Sequence, residues 1–427
     1  MSCLFKACCR EGNRLRILQI NSVCGTGSTG RITTDLYRTL KEQGHECLIA
    51  YGRGKAPGAY QTLRIGTRLE VCLHGLYARI MDRSGFASRS ATRRFLKKVA
   101  VYQPDIIHLH NLHGYYIHIE LLFQYLKRAG IPVIWSLYDC WSFTGHCCHF
   151  DYIGCDRWKT GCCHCRQGRT YPKSLLWDNS RGNYLKKKSI FTGCPELVIV
   201  TPTRWLTDLV QESFLKSYSV VTIPSGIDLT AFKPTPSGLR SEYGLEGKYI
   251  VLGLSNGFDR YKGLSHFIRL AESLPEEYKL ILVGVKGNKK EIPKNILALP
   301  RTKSSTLLAA YYTAADIFVN PTLQETQGLT NLEALACGTG VVAFHSGGCP
   351  ESLTKDCGLI VDRGDQKGLK EAVMRACRSP FDPDSCRQRA KLYDKIALNQ
   401  DYIRLYEESI YFKTHTDQSN VSKGDTV

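Results

Sequence analysis

No run of about 18 or more apolar residues occurs in this 427-residue chain, so no segment is expected to cross a membrane as a helix. The opening MSCLFKACCREGNR lacks the apolar stretch of about 7–15 residues that a secretory signal needs, and a cytoplasmic chain is expected. Acid is in short supply, with 39 Asp+Glu against 57 Lys+Arg for a formal charge of +18. No Asp-x-Asp stands at a predicted strand end, so no metal is expected at a catalytic centre. Internal repeats are absent beyond a shared strand–helix rhythm. With 43% hydrophobic and 22% charged residues the composition excludes a disordered chain.

Two residue classes are unevenly placed. Between Tyr51 and Ala100 there are eleven Lys/Arg against two acids, Glu70 and Asp82. Such an excess points to a polyanionic partner. The stretch from Ile65 to Val101 interleaves Leu, Ile, Tyr and Phe with these cations at helical intervals. It reads as a face for an anionic membrane leaflet or as a solvated basic helix. Of the 19 cysteines, seven lie between Cys140 and Cys165. In a reducing compartment these are better read as metal ligands than as disulfides.

Short apolar runs alternate with helical material: LRILQINSV, HECLIAY, PDIIHLH, IPVIWSLYD and ELVIVTPT, then KYIVLGLSN, YKLILVGV, ADIFVNP and GVVAFHS. Strands alternating with helices predict parallel α/β sheets with ligands at the strand C-terminal ends. The restart predicts two Rossmann-like domains facing a cleft: residues 1–232, with a cysteine-rich insert near 140–166, and residues 233–390. A final helix over 391–412 is expected to pack back on the first domain, and 413–427 is expected to be a disordered tail.

In PTLQETQGLTNLEALACGTGVVAFHSGGCPE, Glu325 and Glu333 stand eight apart with Gly328 between them. A helix starting at Leu329 would present free N–H groups near Thr330, a seat for a diphosphate. The carboxylates could then accept hydrogen bonds from hydroxyls of two sugars of one nucleotide sugar. This segment resembles the signature of retaining glycosyltransferases of family 4 (glycosyltransferase group 1, exopolysaccharide or colanic-acid-type branch), which have the GT-B fold. PSGIDLTAFKP resembles the stretch that joins their domains, with Ser225 for the usual Asn, and FDRYKGL resembles their phosphate-binding turn. The resemblance implies that Lys262 grips the donor diphosphate, with Arg260 beside it because Tyr261 occupies the usual Arg position. It implies that Glu333 holds the nucleotide ribose, that Glu325 acts on the transferred sugar, and that Gly328, Leu329 and Thr330 bind donor.

Gly25, Gly27 and Gly30 fit G-x-G-x-x-G. The acid that a nicotinamide site carries about 20 residues later is missing, and Arg53 stands there instead. The loop NSVCGTGSTGR also resembles the first loop of the same transferases, where Gly27 and Gly30 would approach the donor. His108, His110 and His113 follow a predicted strand. His110 and His113 are read as acceptor-binding, with a metal site or buried core histidines as the other readings. YDCWSFTGHC resembles the family's H-D-x-W-P-F-T-G-x-C, with Tyr138 at the His position and Asp139 retained. Tyr138 is assigned to the acceptor and Asp139 to catalysis, although a phenol is a poor base at neutral pH. Cys147 (or Cys148), Cys155, Cys162 and Cys165 are read as a structural zinc site, with His149 and His164 as substitute ligands.

The expected activity is transfer of a sugar from a nucleotide-diphosphate sugar, with retention, to a glycan or lipid-linked glycan of the cell surface. The enzyme would be cytoplasmic or peripheral on the inner face of the plasma membrane. The rivals are an NADP-dependent oxidoreductase using the glycine loop and a GT-B nucleotide-sugar epimerase. A nucleic-acid partner is not expected, since no binding module is recognisable.

Overall fold

The computed structural model describes residues 14–255, 257, 261–285 and 292–421, with 416–421 as backbone alone. Arg260 therefore lies outside the described residues.

Seven parallel strands form the first sheet: β1 (Arg16–Val23), β2 (Glu46–Arg53), β3 (Thr62–Arg64), β4 (Ile106–Leu109), β5 (Val133–Ser136), β6 (Leu197–Thr201) and β7 (Ser219–Thr222), in the order β3-β2-β1-β4-β5-β6-β7. Six form the second: β8 (Tyr249–Leu254), β9 (Tyr278–Val283), β10 (Ile296–Leu299), β11 (Ile317–Asn320), β12 (Val341–Phe344) and β13 (Gly358–Val361), in the order β10-β9-β8-β11-β12-β13. In each sheet the first strand lies between neighbours reached by crossovers in opposite directions. Such a reversal opens a crevice at the strand C-terminal ends. The interior strands are continuous apolar runs because helices cover both faces.

The segment after β7 explains the PSGID motif physically. Ile227 bridges to Asp394, and Lys395 Nζ reaches Asp228 at 2.8 Å and Asp35 at 3.4 Å. A Cβ on Gly226 would sit 2.3 Å from the Lys395 Cα, so only glycine allows this approach.

The C-terminal stretch is two helices, Pro383–Lys391 and Lys395–Val421, parted by Leu392–Asp394. The second lies on the first unit: the His108 Nδ1 and Tyr406 hydroxyl are 2.6 Å apart, His108 Nε2 meets Ser136 Oγ at 2.8 Å, and Ser136 Oγ meets the Tyr402 hydroxyl at 3.1 Å. This second helix runs on past residue 413 to Val421. No Gly or Pro stands between Lys413 and Val421 to end the helix.

Candidate active site

The two units meet around a cleft of about 770 Å³. The Glu325–Glu333 segment builds one wall. Gly328 (φ +80°) caps the helix Leu329–Ala336 in a left-handed conformation, which leaves the first amides of that helix at the cleft. The preceding loop is pressed into shape from behind. A Cβ on Gly347 (φ +52°) would stand 1.9 Å from the Glu325 carbonyl oxygen, so the glycine lets the two loops touch. Lys262 enters just before the helix Leu264–Ser273, and its Nζ meets Glu325 Oε2 at 2.8 Å. Gly263 (φ +78°) makes that turn: a Cβ there would meet the Pro321 carbonyl at 2.3 Å.

The two carboxylates differ in character. Burial pushes Glu325 up, but the Lys262 ammonium and His149 more than offset it and hold the carboxyl below its ordinary value. Glu333 is raised to about 7, by burial first, with Arg31 and the Tyr312 hydroxyl (3.1 Å from Oε2) opposing. At neutral pH the wall therefore offers one firmly ionised acid and one poised near its midpoint.

The facing wall comes from the first unit. Gly25 and Gly27 (φ +69° each) make the loop that ends β1, and Thr26, Gly27 and Arg31 line the cleft with Asn111, Tyr138, Asp139 and His149. The helix after β1 begins at Gly27 rather than at Arg31. Gly30 is thus inside the helix and away from the cleft. A Cβ there would meet Val23 Cγ2 at 3.1 Å and Gly25 N at 3.2 Å, so the glycine lets the helix start pack on the end of β1.

Asp139 faces the cleft but is fastened in place. His113 Nε2 sits 2.8 Å from Oδ2, and the Trp141 amide donates to Oδ1 at 2.9 Å. Burial raises its pKa, and His113 with the Trp141 amide brings it below the usual value. His113 and His110 do not reach the cleft, which corrects both acceptor-binding assignments. His113 Nδ1 is taken by the Tyr171 hydroxyl at 3.0 Å. His110 is 1% exposed, with Nδ1 on the Tyr138 hydroxyl at 2.9 Å and Nε2 on Gln19 Oε1 at 3.1 Å. Tyr138 lines the cleft, yet its hydroxyl turns inward to His110, and burial drives its pKa well up. Alternation along β4 places His108 and His110 on one face, and that face is covered by the C-terminal helix.

Arg31, Asn111, Thr326, Gln327 and His149 were not assigned to this cleft from sequence. Arg31 follows the glycine loop directly, a position that could have flagged it. His149 sits in the cysteine-rich insert, so chemistry pointed to metal while the fold brings it to the cleft. The units are held shut across the cleft by several bonds. Thr326 Oγ1 donates to the Tyr138 carbonyl at 2.7 Å, and the Gln327 amide pairs with both backbone groups of Ser225 at 2.9 and 3.0 Å. Beyond the cleft, Glu351 accepts from the Arg204 and Trp205 amides at 2.8 Å each, capping a helix of the other unit.

Cys147, Cys155, Cys162 and Cys165 line a separate cavity of about 90 Å³. Among the described residues, the one trio of ligand atoms all within 4.8 Å of each other is instead His113, Asp139 and Cys148.

Two doubly wound α/β units with a shared cleft, one wall bearing a helix N-terminus, a lysine and two carboxylates, have the architecture of the GT-B fold. Comparison with known proteins narrows this class. Residues 29–231 match the family Glycosyltransferase Family 4, and residues 239–393 match Glycosyl transferases group 1. Each of the two units is thus similar to a family of glycosyl transferases. It is 23% identical over 423 residues to WcaC of Escherichia coli (strain K12), named for colanic acid biosynthesis glycosyl transfer, covering 92% of this chain and 100% of that one. It is 33% identical over 152 residues to D-inositol 3-phosphate glycosyltransferase of Mycobacteroides abscessus, covering 32% of this chain and 34% of that protein. Among solved structures, sucrose-phosphate synthase from Thermosynechococcus elongatus superposes with a TM-score of 0.70 at 17% identity, covering 92% of this chain and 99% of that one. HepE from Anabaena in complex with UDP-glucose gives 0.63 at 14% identity, covering 92% and 100%.

Proposed function

We propose that this enzyme transfers a sugar from a nucleoside diphosphate sugar, with retention of anomeric configuration, to a glycan or lipid-linked glycan in cell-surface polysaccharide synthesis. The observation that carries the reading is that Lys262, the Leu329 helix N-terminus, Glu325 and Glu333 share one wall of one cleft. Lys262 and the free amides at Leu329 and Thr330 offset the diphosphate charge without a catalytic metal. Glu333 accepts from ribose hydroxyls, and Glu325, aligned by Lys262, stands by the transferred sugar. Gly27 and Arg31 close on the diphosphate from across the cleft. Because Tyr138 turns its hydroxyl away and Asp139 is tied to His113, neither is placed as a strong base. A front-face course suits this, in which the leaving phosphate oxygen accepts the acceptor's proton as the new glycosidic bond forms. The full-length match to WcaC supports the polysaccharide setting. The NADP reading is not favoured: Arg53, its best phosphate ligand, is outside the cleft.

Thermal-shift titration with UDP, GDP, ADP and NADP tests the donor site. One nucleoside diphosphate should raise Tm, and Lys262→Ala and Glu333→Ala should abolish the shift. A response to NADP alone, unchanged in both variants, would overturn the reading. The product anomer, read from its proton coupling constant, tests retention.

The acceptor reading includes an anionic membrane surface. The basic stretch is two helices, Arg68–Met81 and Arg89–Tyr102. Phe95 and Val99 of the second are buried and unavailable to lipid. Leu69, Leu73 and Leu76 remain exposed at helical spacing on the first, and the Leu175 amide bonds the Arg79 carbonyl at 2.8 Å, bringing exposed Leu175, Leu176 and Trp177 alongside. Exposed Arg68, Arg79, Arg83 and Lys173 rim this patch. Sedimentation with anionic vesicles should occur and should fail for a Leu73→Glu, Leu76→Glu double variant. Equal sedimentation of both proteins would remove the membrane from the reading.

A further inference from the structure

The cysteine-rich insert holds a feature that the thiol spacing does not reveal. His146 is 2% exposed. Its Nδ1 is held by the Asp82 carboxylate, while Nε2 is buried without a hydrogen-bond partner. An orphaned buried ring nitrogen is costly unless something binds it. His146 lines the 90 Å³ cavity together with Cys147, Cys162 and Cys165. A histidine whose far nitrogen is fixed by a carboxylate is the usual arrangement of an imidazole that ligates a metal.

The thiols around it are organised in the same sense. The Cys147 and Cys165 thiols are close enough to influence one another electrostatically. The Gly145 amide donates to Cys162 Sγ at 3.2 Å, a bond that favours the thiolate. The Cys162–Cys165 knuckle is pinned from behind, where Arg157 donates to the Cys163 and His164 carbonyls at 2.7 and 3.1 Å and Asp178 accepts from the Cys165 amide at 2.8 Å.

Charge supplies an independent observation. Lys187 is 1% exposed, and its Nζ donates to the Trp141 and Thr144 carbonyls at 2.7 and 3.1 Å and lies 3.5 Å from the Trp141 ring centroid. Among the described residues no carboxylate lies within ion-pair distance of it. Burial lowers its pKa to about 7, opposed by Cys148, Cys162, Cys147 and the Asp82 carboxylate. Further negative charge at the neighbouring thiols would favour the ammonium in this buried position.

We infer that His146 Nε2, Cys147, Cys162 and Cys165 form a closed four-coordinate site for zinc. Three thiolates, one neutral imidazole and one divalent ion carry a net single negative charge, which would favour the Lys187 ammonium. The four atoms stand on the cavity wall further apart than ligands of one ion. Bonds of about 2.0–2.3 Å to zinc would draw them inward. Metal uptake releases the thiol protons to solvent, with no change in oxidation state. His146 takes the place that spacing alone gives to Cys155, whose carbonyl rather than sulfur is engaged, by Trp158 Nε1 at 3.1 Å. With four protein ligands no coordination position is open for a reactant, so the centre braces the insert, which carries His149 into the cleft.

Elemental analysis of the full chain, purified without chelator, should find one zinc per molecule. Stripped protein titrated with cobalt(II) should show tetrahedral bands and thiolate charge transfer. His146→Gln should shift the bands and weaken the metal, and Asp82→Asn should weaken it about 10–100-fold. His146→Cys should add the charge-transfer intensity of a fourth thiolate, and Cys155→Ser should change nothing. A folded, nucleotide-binding chain that takes up neither metal overturns the inference. So does loss of metal in Cys155→Ser with His146→Gln unaffected, which would place the ion on four thiolates.

Discussion

The two walls of the cleft are built in opposite ways. On the second unit's wall, Glu325, Gly328, Leu329, Thr330 and Glu333 come from one loop and the helix it starts, with Lys262 added from one other turn. Its charges point into the cleft. The first unit's wall is assembled from the ends of β1, β4 and β5, the helix after β1, the cysteine-rich insert and Ser225, and apart from Arg31 and His149 its titratable groups turn inward. Tyr138 bonds His110, Asp139 bonds His113, and His108 bonds Tyr406. One wall presents most of its charge to a ligand, and the other, Arg31 apart, spends its polar groups largely on holding its own shape.

The largest expected effect tests that asymmetry directly. Lys262→Ala should lower turnover by about 10²–10³-fold, the usual loss when one preorganised charge is removed from an active site. It should also leave Glu325 without its cation. Tyr138→Phe should change turnover by only a few fold, because the lost hydroxyl serves His110. Steady-state rates on both variants decide the matter, and an equal loss would put a working group on the first wall.

Next in size is the inward network itself. Tyr406→Phe strips His108 Nδ1 of its partner in a fully buried site. Leaving a buried polar group unsatisfied costs about 1–3 kcal/mol. Urea unfolding should show that loss, while nucleoside diphosphate affinity of the folded protein stays unchanged. A variant as stable as the parent would mean that the C-terminal helix is held by its apolar contacts alone.

The same asymmetry explains what the sequence disclosed. The strands read from apolar runs are the interior ones: β1, β2, β4, β5 and β6, then β8, β9, β11 and β12. The four missed, β3, β7, β10 and β13, are the edges of the two sheets. Edge strands are covered less, so they need no continuous apolar run; β7 has no buried residue. The second wall was legible because its parts are neighbours in sequence and the helix start is signalled locally. The first wall was not. Whether His108 meets solvent depends on Tyr406, almost three hundred residues away, and nothing in HLHNLHG encodes that cover. The place of Gly30 was not legible for a related reason, because the helix starts within the glycine motif instead of after it.

A pH-dependent effect lies in the titration of Glu333. Its pKa in the folded chain is raised from 4.5 to about 7, chiefly by burial. Between these values the folded chain keeps a proton that the unfolded chain has released, so the stability contribution of Glu333 falls as pH rises and reaches its full cost above about 7. Glu333→Gln should flatten that part of the pH profile and make the variant relatively more stable at about pH 8 than at about pH 5.5. Ligand binding should run the other way. A ribose hydroxyl needs the ionised carboxylate as acceptor, so nucleoside diphosphate affinity should tighten over the same interval in the parent and stay flat in Glu333→Gln. Calorimetric titration at both pH values reads this out, and tightening that survives the substitution would move the titrating group off the second wall.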